Sequence, residues 1–168
     1  KGADPVLGVE MASTGEVACF GDDMYEALLK AMISTGFRIP KKKILLSIGK
    51  IEDKAAFLKS AQQLCDIGYE LCATENTSRF LTENGIANMF LHKIRSKEQP
   101  NLIDVLGQKI IDLVINIPKN YSREEVTDGY LIRRKAIDFN IPLITNLQLA
   151  QAVVEALSRY TMDDLKIK

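Results

Sequence analysis

Five apolar runs along the chain each break off at a small polar or charged residue. Lys43-Ile-Leu-Leu-Ser-Ile48 closes on Ser47 and Gly49, and Tyr69-Glu-Leu-Cys-Ala-Thr74 on Thr74. The run from Ile86 to Leu91 closes on His92 and Lys93. Ile111-Asp-Leu-Val-Ile-Asn116 closes on Asn116, and Ile141-Pro-Leu-Ile-Thr145 on Thr145 and Asn146. Helix-like stretches separate most of them. Short, β-branched, doubly apolar runs alternating with helices predict a buried parallel sheet. Ligands bind such sheets at the carboxyl ends of the strands. One edge of the domain should therefore carry hydroxyl, amide and ammonium groups, which suits an anion.

The segments between the runs predict the helices. Gly21-Asp22-Asp23 offers an N-cap for a helix from about Met24 to Thr35, with Tyr25, Leu28, Ala31 and Met32 as its apolar face and Gly36 as its stop. Arg38 to Lys43 is a connector, because Pro40 blocks a helix and the lysines are solvated. A second helix is predicted from about Asp53 to Ile67, with Ala56, Leu58, Ala61, Leu64, Cys65 and Ile67 as its buried stripe. Shorter helices are expected over Asn76 to Glu83 and Leu102 to Gln108. A polar loop, Ser122 to Asp128, precedes a helix through Tyr130 to Asp138, and the last helix spans about Asn146 to Ser158. Residues 159–168 read as a tail or a link, and no repeat or low-complexity segment stands out.

Composition narrows the ligand. The 168 residues have the length of one domain with a real core, and 22 basic residues balance 22 acidic ones. That balance gives no bulk electrostatic case for nucleic acid or an acidic membrane surface, so an anion site must be a local cluster. Cys19, Cys65 and Cys72 form no CxxC pair and read as free thiols of a reducing, cytoplasmic compartment. No metal-ligand spacing, membrane-length apolar stretch or signal peptide is visible. The chain begins at Lys1 without Met, and a piece of a longer protein is expected.

Several strand-end groups could carry chemistry. Thr74-Glu-Asn-Thr77 joins a strand to a helix, and two hydroxyls beside free backbone N–H groups make an anion cradle, although spacing alone favours the simpler reading that Thr74 or Asn76 caps the helix. Lys54 stands in the first turn of a helix, where a cation opposes the dipole; it is either a solvated surface lysine or aimed at a phosphate over the same edge. Lys93 is better placed than His92 to meet an anion. Asn116 ends a run of pure aliphatics and, if buried, must bond a loop or a ligand. Thr145-Asn146 repeats that logic on the last strand, with a helix cap as the default. Arg133 and Arg134 are adjacent on a helix, so at most one faces a site. A Ser-His-Asp set, a Gly-rich phosphate loop and paired strand-end carboxylates are all missing, which argues against catalysis by this segment.

These residues resemble a known family. Gly8-Val-Glu-Met-Ala-Ser-Thr-Gly-Glu-Val17, continued by Phe20 to Gly36, is similar to the end of the second ATP-grasp synthetase unit of the large chain of carbamoyl phosphate synthetase. From about Lys41 the chain resembles the methylglyoxal-synthase-like allosteric domain that follows it, including Tyr130-Leu-Ile-Arg-Arg134 and Thr145-Asn146. The resemblance implies two units. Residues 1–40 would be the incomplete tail of the synthetase unit, and residues 41–168 the allosteric domain. The implied fold is α/β, a Rossmann-like three-layer sandwich with a five-stranded parallel sheet and helices on both faces.

The resemblance also implies a role. In bacterial members this domain binds UMP as inhibitor and IMP as activator, and the matching positions here are Ser47, Lys54, Thr74, Thr77, Lys93 and Asn116. Arg133, Arg134, Thr145 and Asn146 are further possibilities. In the mitochondrial urea-cycle form the cleft binds N-acetylglutamate. That form has a Trp where this chain has His92-Lys93 and an Asn at the position of Lys119, and both departures favour a phosphate ligand. Leu143-Ile144 replaces the Tyr of ornithine-responsive members, and Ile117-Pro118 replaces threonines that follow the Asn in bacterial members. Methylglyoxal synthase shares the implied fold but needs an Asp in a Gly-Gly-Asp loop and several histidines. This chain offers only Asp104 in that region, and His92 alone. The parent enzyme would make carbamoyl phosphate from bicarbonate, glutamine or ammonia, and ATP with Mg or Mn, for pyrimidine and arginine synthesis. Implied partners are the preceding synthetase domains and a glutaminase chain or domain. An oligomerisation module without effector binding is the alternative from a different class.

Overall fold

The computed structural model describes residues 17–92, 98–108, 110–119 and 128–165. The Gly8–Val17 motif (save Val17), Lys93 and the Ser122–Asp128 loop (save Asp128) lie outside the described residues. Among the described residues the order is α1 (Met24–Ser34), β1 (Lys43–Ile48), α2 (Ile51–Asp66), β2 (Glu70–Thr74), α3 (Glu75–Glu83), β3 (Met89–Leu91), α4 (Leu102–Gly107), β4 (Leu113–Ile117), α5 (Asp128–Asp138), β5 (Leu143–Ile144) and α6 (Leu147–Arg159).

All strand pairs are parallel, in the order β3-β2-β1-β4-β5. The aliphatic strands are covered on both faces, as the doubly apolar runs require. Ile44, Leu46, Ile48, Leu71, Ala73, Leu113, Ile115 and Ile117 pack in one core cluster with Leu29 of α1, Phe57 and Leu64 of α2, Leu81 of α3, and Val153 and Val154 of α6. Leu45, Cys72, Leu91 and Val114 pack in the other with Leu102 and Leu106 of α4, and Ile132 and Ala136 of α5. The chain thus lays α1, α2 and α3 on one face, α4 and α5 on the other, and α6 back on the first, and the strand order reverses between β1 and β4. That reversal opens a crevice at the carboxyl ends of these two strands.

The element types follow the hydrophobic pattern, and the differences have local causes. The third strand begins at Met89 rather than Ile86: Gly85, at positive φ, ends α3, and the Ile86 N–H turns back to the Leu81 carbonyl. The fourth strand runs one residue past Asn116 to Ile117, where Pro118 ends it. The fifth is only Leu143–Ile144. In α2 the buried stripe is Lys54, Phe57, Ser60, Ala61 and Leu64, while Ile67 is exposed. In α1 Leu29 is the fully buried residue, with Tyr25, Leu28 and Met32 packed around the same cluster.

Helix α1 is fastened to α6 as well as packed on it. Asp23 caps α1, its Oδ1 accepting from the N–H groups of Tyr25 and Glu26 at 2.8 and 2.9 Å. These bonds, and the nearby Arg159 charge, hold its carboxyl below the usual range. Arg159, at the end of α6, lies 3.3 Å from Asp23 Oδ2, 2.7 Å from Glu155 Oε1 and over the Tyr25 ring. The segment after α6 is not a loose tail up to Leu165: Tyr160 packs against the core, and Leu165 is only 4% exposed within it. Leu165→Ala should therefore cost about 2–4 kcal/mol in urea unfolding, as for other buried leucines. An unchanged midpoint would mean the segment does not dock.

Candidate phosphate site at the β1–β4 crevice

Register brings the strand-end polar residues together. Ser47 pairs directly with Asn116 across β1 and β4. Leu46 pairs with Ala73, so Thr74 falls level with Ser47 on the other side. Three of the expected residues thus form a row, Thr74, Ser47 and Asn116, at the carboxyl edge of the three central strands. Two helices start from this edge beside the row. Neither Lys50, at the N-cap of α2, nor Thr74, at the N-cap of α3, makes a side-chain cap bond. By contrast the caps of α1, α4 and α6 are filled by Asp23, Asn101 and Asn146. The starts of α2 and α3 thus differ from the other helix starts in having no capping side chain from the N-cap residue.

Lys54 is the residue whose placement matters most. It lies on the buried stripe of α2, at 8% exposure. Its Nζ lies 3.5 Å from the Gly49 carbonyl, and among the described residues no carboxylate pairs with it. Burial, and secondarily the like charge of Lys119, lower its pKa. The β1–α2 and β4 loops meet closely here: the Gly49 N–H donates to the Ile117 carbonyl at 2.9 Å, and a Cβ on Gly49 would lie 2.5 Å from the Lys119 nitrogen. Gly49 is required for that approach, which puts Lys119 near Lys54. The sequence carries a signal for this burial, because Lys54, Phe57, Ala61 and Leu64 follow the spacing of one helix face.

Thr77 is 1% exposed, and its hydroxyl is already engaged. It accepts from the Ile48 N–H at 3.0 Å and donates toward the Ile48 carbonyl at 3.3 Å, while Thr74 Oγ1 lies 3.4 Å away. Thr77 thus splices the last residue of β1 to α3 and holds Thr74 at the edge. Asn116 is 1% exposed; its Oδ1 accepts from Arg133 Nη1 at 2.6 Å, and its Nδ2 is 3.5 Å from the Ser47 carbonyl. Of the two adjacent arginines, Arg133 reaches the row. Arg134 is exposed and pairs with Asp138 at 3.2 Å.

The other expected residues sit differently. Asn146 caps α6, its Oδ1 accepting from the Leu149 N–H at 2.8 Å. Thr145 follows the last strand. His92 continues β3 as a bridge to Asn101, and its Nδ1 is 3.0 Å from Glu98 Oε2. No cluster of His, Cys, Asp or Glu among the described residues could hold a metal, and no helix among them is long and apolar enough to cross a membrane. Cys72 is buried, which pushes its thiol pKa up, and Cys65 is half-buried.

A doubly wound five-stranded domain with a donor-rich crevice at its switch point is the class these observations define. The chain matches the MGS-like domain over residues 56–145 and belongs to that family. It is 51% identical over 168 residues to the multifunctional protein pyr-3 of Neurospora crassa, covering 95% of this chain and 9% of that protein. The multifunctional protein URA2 of Saccharomyces cerevisiae is 48% identical over 167 residues, covering 94% and 8%. The human mitochondrial carbamoyl-phosphate synthase [ammonia] is 44% identical over 170 residues, covering 99% and 11%. The chain spans about a tenth or less of these relatives. A crystal structure of methylglyoxal synthase from Elizabethkingia anophelis superposes with a TM-score of 0.52 at 19% identity, covering 68% of this chain and 77% of that one; the likeness is one of fold.

Two substitutions separate support of the site from use of it. Thr77→Val leaves the Ile48 N–H and carbonyl without their partner and should cost about 1–3 kcal/mol in urea unfolding, with Thr77→Ser close to wild type. Lys54→Met removes a buried cation that lacks a carboxylate, so its unfolding midpoint should rise. A fall would mean that Lys54 is satisfied within the fold.

Proposed function

We propose that this chain is the regulatory domain of a carbamoyl-phosphate-synthesising protein and binds a phosphate-bearing nucleotide effector in the β1–β4 crevice. The observation that carries the reading is Lys54, a buried ammonium with no carboxylate partner among the described residues, set beside two helix N-termini without side-chain caps. A folded domain bears that cost where an anion repays it. Lys54 would pair with the phosphate. The hydroxyls of Thr74 and Ser47, the first N–H groups of α3 and, after its hydroxyl reorients, Thr77 would hydrogen-bond it. Asn116 would contact the rest of the ligand. Lys93 belongs to the same proposed set.

The domain would act by differential binding. An effector that prefers one conformer shifts the equilibrium, and the surface shared with the rest of the protein passes that preference on. The parent protein would condense bicarbonate with ammonia or glutamine nitrogen at the expense of ATP, for pyrimidine and arginine synthesis in the cytoplasm. Its synthetase units, outside this domain, would hold ATP with Mg or Mn, and a glutaminase chain or domain would supply ammonia. The chemistry of the crevice is that of a binding site: donors converge on it, and no general base stands among the described residues of the row.

Calorimetric titration with UMP at low salt, in competition with inorganic phosphate, tests the reading. Binding is expected, and Lys54→Met should weaken it by roughly 10- to 150-fold, the loss of a charge-assisted contact. Absence of binding by a folded wild-type sample would sink the reading.

The pH dependence has a fixed sign. The Lys54 pKa is lowered in the free fold, and a bound dianion would raise it, so binding takes up a proton at alkaline pH. Phosphate monoesters lose their second proton at about pH 6, so any dependence well above that belongs to the protein. Affinity should fall as pH rises through the lowered pKa of Lys54, and Lys54→Arg should flatten that fall. Stability has the opposite sign. Protons bind the unfolded chain more tightly, so the contribution of this group rises with pH until the unfolded value near 10.4 is passed.

A further inference from the structure

Arg133 lies on α5 and donates from Nη1 to Asn116 Oδ1 at 2.6 Å. A guanidinium carries donors only. The atom of Asn116 that faces it must therefore be oxygen, and this fixes the carboxamide: Oδ1 on the guanidinium, Nδ2 on the side of Ser47. There Nδ2 lies 3.5 Å from the Ser47 carbonyl, at the weak limit for a hydrogen bond. An amide nitrogen has two protons, so donor capacity is left for a ligand. Gly129, one turn before Arg133, roofs the arrangement. A Cβ there would lie 3.4 Å from Arg133 Nη1 and 3.6 Å from Asn116 Nδ2. The pair is thus pressed between the backbone of α5 and the sheet, and Asn116 is 1% exposed.

We infer that Arg133 is a positioning residue that sets specificity through Asn116. By occupying Oδ1 it makes the sheet edge present an N–H and never a carbonyl at this point. The ligand group that meets Asn116 must then be an acceptor: a carbonyl, hydroxyl or phosphate oxygen. Without Arg133 the amide could rotate by a half-turn and accept from an amine or a ring N–H, so two ligand classes would no longer be told apart. With the Lys54 ammonium, this end of the β1–β4 seam becomes a surface of donors. The choice between the two arginines follows from helix phase, since Arg134 pairs with Asp138 at the exposed side of α5. The ligand half of this inference rests on the effector reading above; the orientation half does not.

The test has two arms. In the ligand-free protein labelled with ¹⁵N-asparagine, the Asn116 side-chain NH₂ pair is assigned by its loss in Asn116→Ala. In Arg133→Met that pair should shift and exchange faster with water, and in Arg133→Lys it should stay near its wild-type position. Arg133→Gln serves as a second variant should Arg133→Met fold poorly. An unmoved pair overturns the orientation half. In the second arm UMP is titrated into wild type, Arg133→Met, Asn116→Ala and the double variant. Arg133→Met should weaken binding roughly two- to tenfold, as for one hydrogen bond misaligned, and should cost nothing further in the Asn116→Ala background. An equal loss in both backgrounds would mean that Arg133 touches UMP itself, which overturns the positioning role. No binding by wild type would overturn the effector reading and the ligand half with it, while the NMR comparison still decides the orientation of Asn116.

Discussion

Pairing β1 with β4 at the middle of the sheet lets α4 and α5 cover one face while α1, α2, α3 and the returning α6 cover the other. Both strands are buried, so every side chain along them must be apolar or have a partner. The first polar residues the pattern allows are Ser47 and Asn116, and register sets them side by side. The same pairing brings the Gly49 loop onto the backbone at Lys119, which closes one wall of the crevice. The crevice is thus a by-product of the topology, and its chemistry follows from which residues end the strands.

Within this frame, residues of the row divide between holding the fold and leaving something unmet. Thr77 is engaged by the Ile48 backbone, and Arg133 holds the amide oxygen of Asn116. Lys54 has no carboxylate partner among the described residues, and α2 and α3 start without a side-chain cap. On the proposed reading, side chains already held in place would leave little to be ordered when a ligand arrives. The same reading would set stability against binding at Lys54, whose replacement by methionine is expected to stabilise the fold.

Much of this was legible in the chain. The polar ends of the aliphatic runs pointed to the sheet edge, and the Lys43–Ile48 strand matched to the residue. The strand after Gly85 was read too long, because an apolar Ile86 looks the same in a strand as in a helix-closing turn. Leu165 looked like part of a tail because its partners are distant in sequence. The stripe expected for the second helix omitted Lys54 and Phe57, and only the packed structure shows that Lys54 shares the buried face with Phe57 and Ala61. Arg133 could be narrowed to one of two by adjacency, but choosing between them needed the rotation of α5 about its axis. The cap favoured by spacing is present at Asn146, while the side chain of Thr74 makes no such bond.

Helix α6 connects two places that the sheet keeps apart. It starts at Asn146, just beyond the last strand, and ends at Arg159, which grips the cap and the tyrosine ring of α1. Thirteen residues make a rod of ~20 Å. Pivoted at its start, such a lever arm turns a tilt of about 3° into a displacement of about 1 Å at the far end. The end that moves is the one bolted to the chain's entry segment.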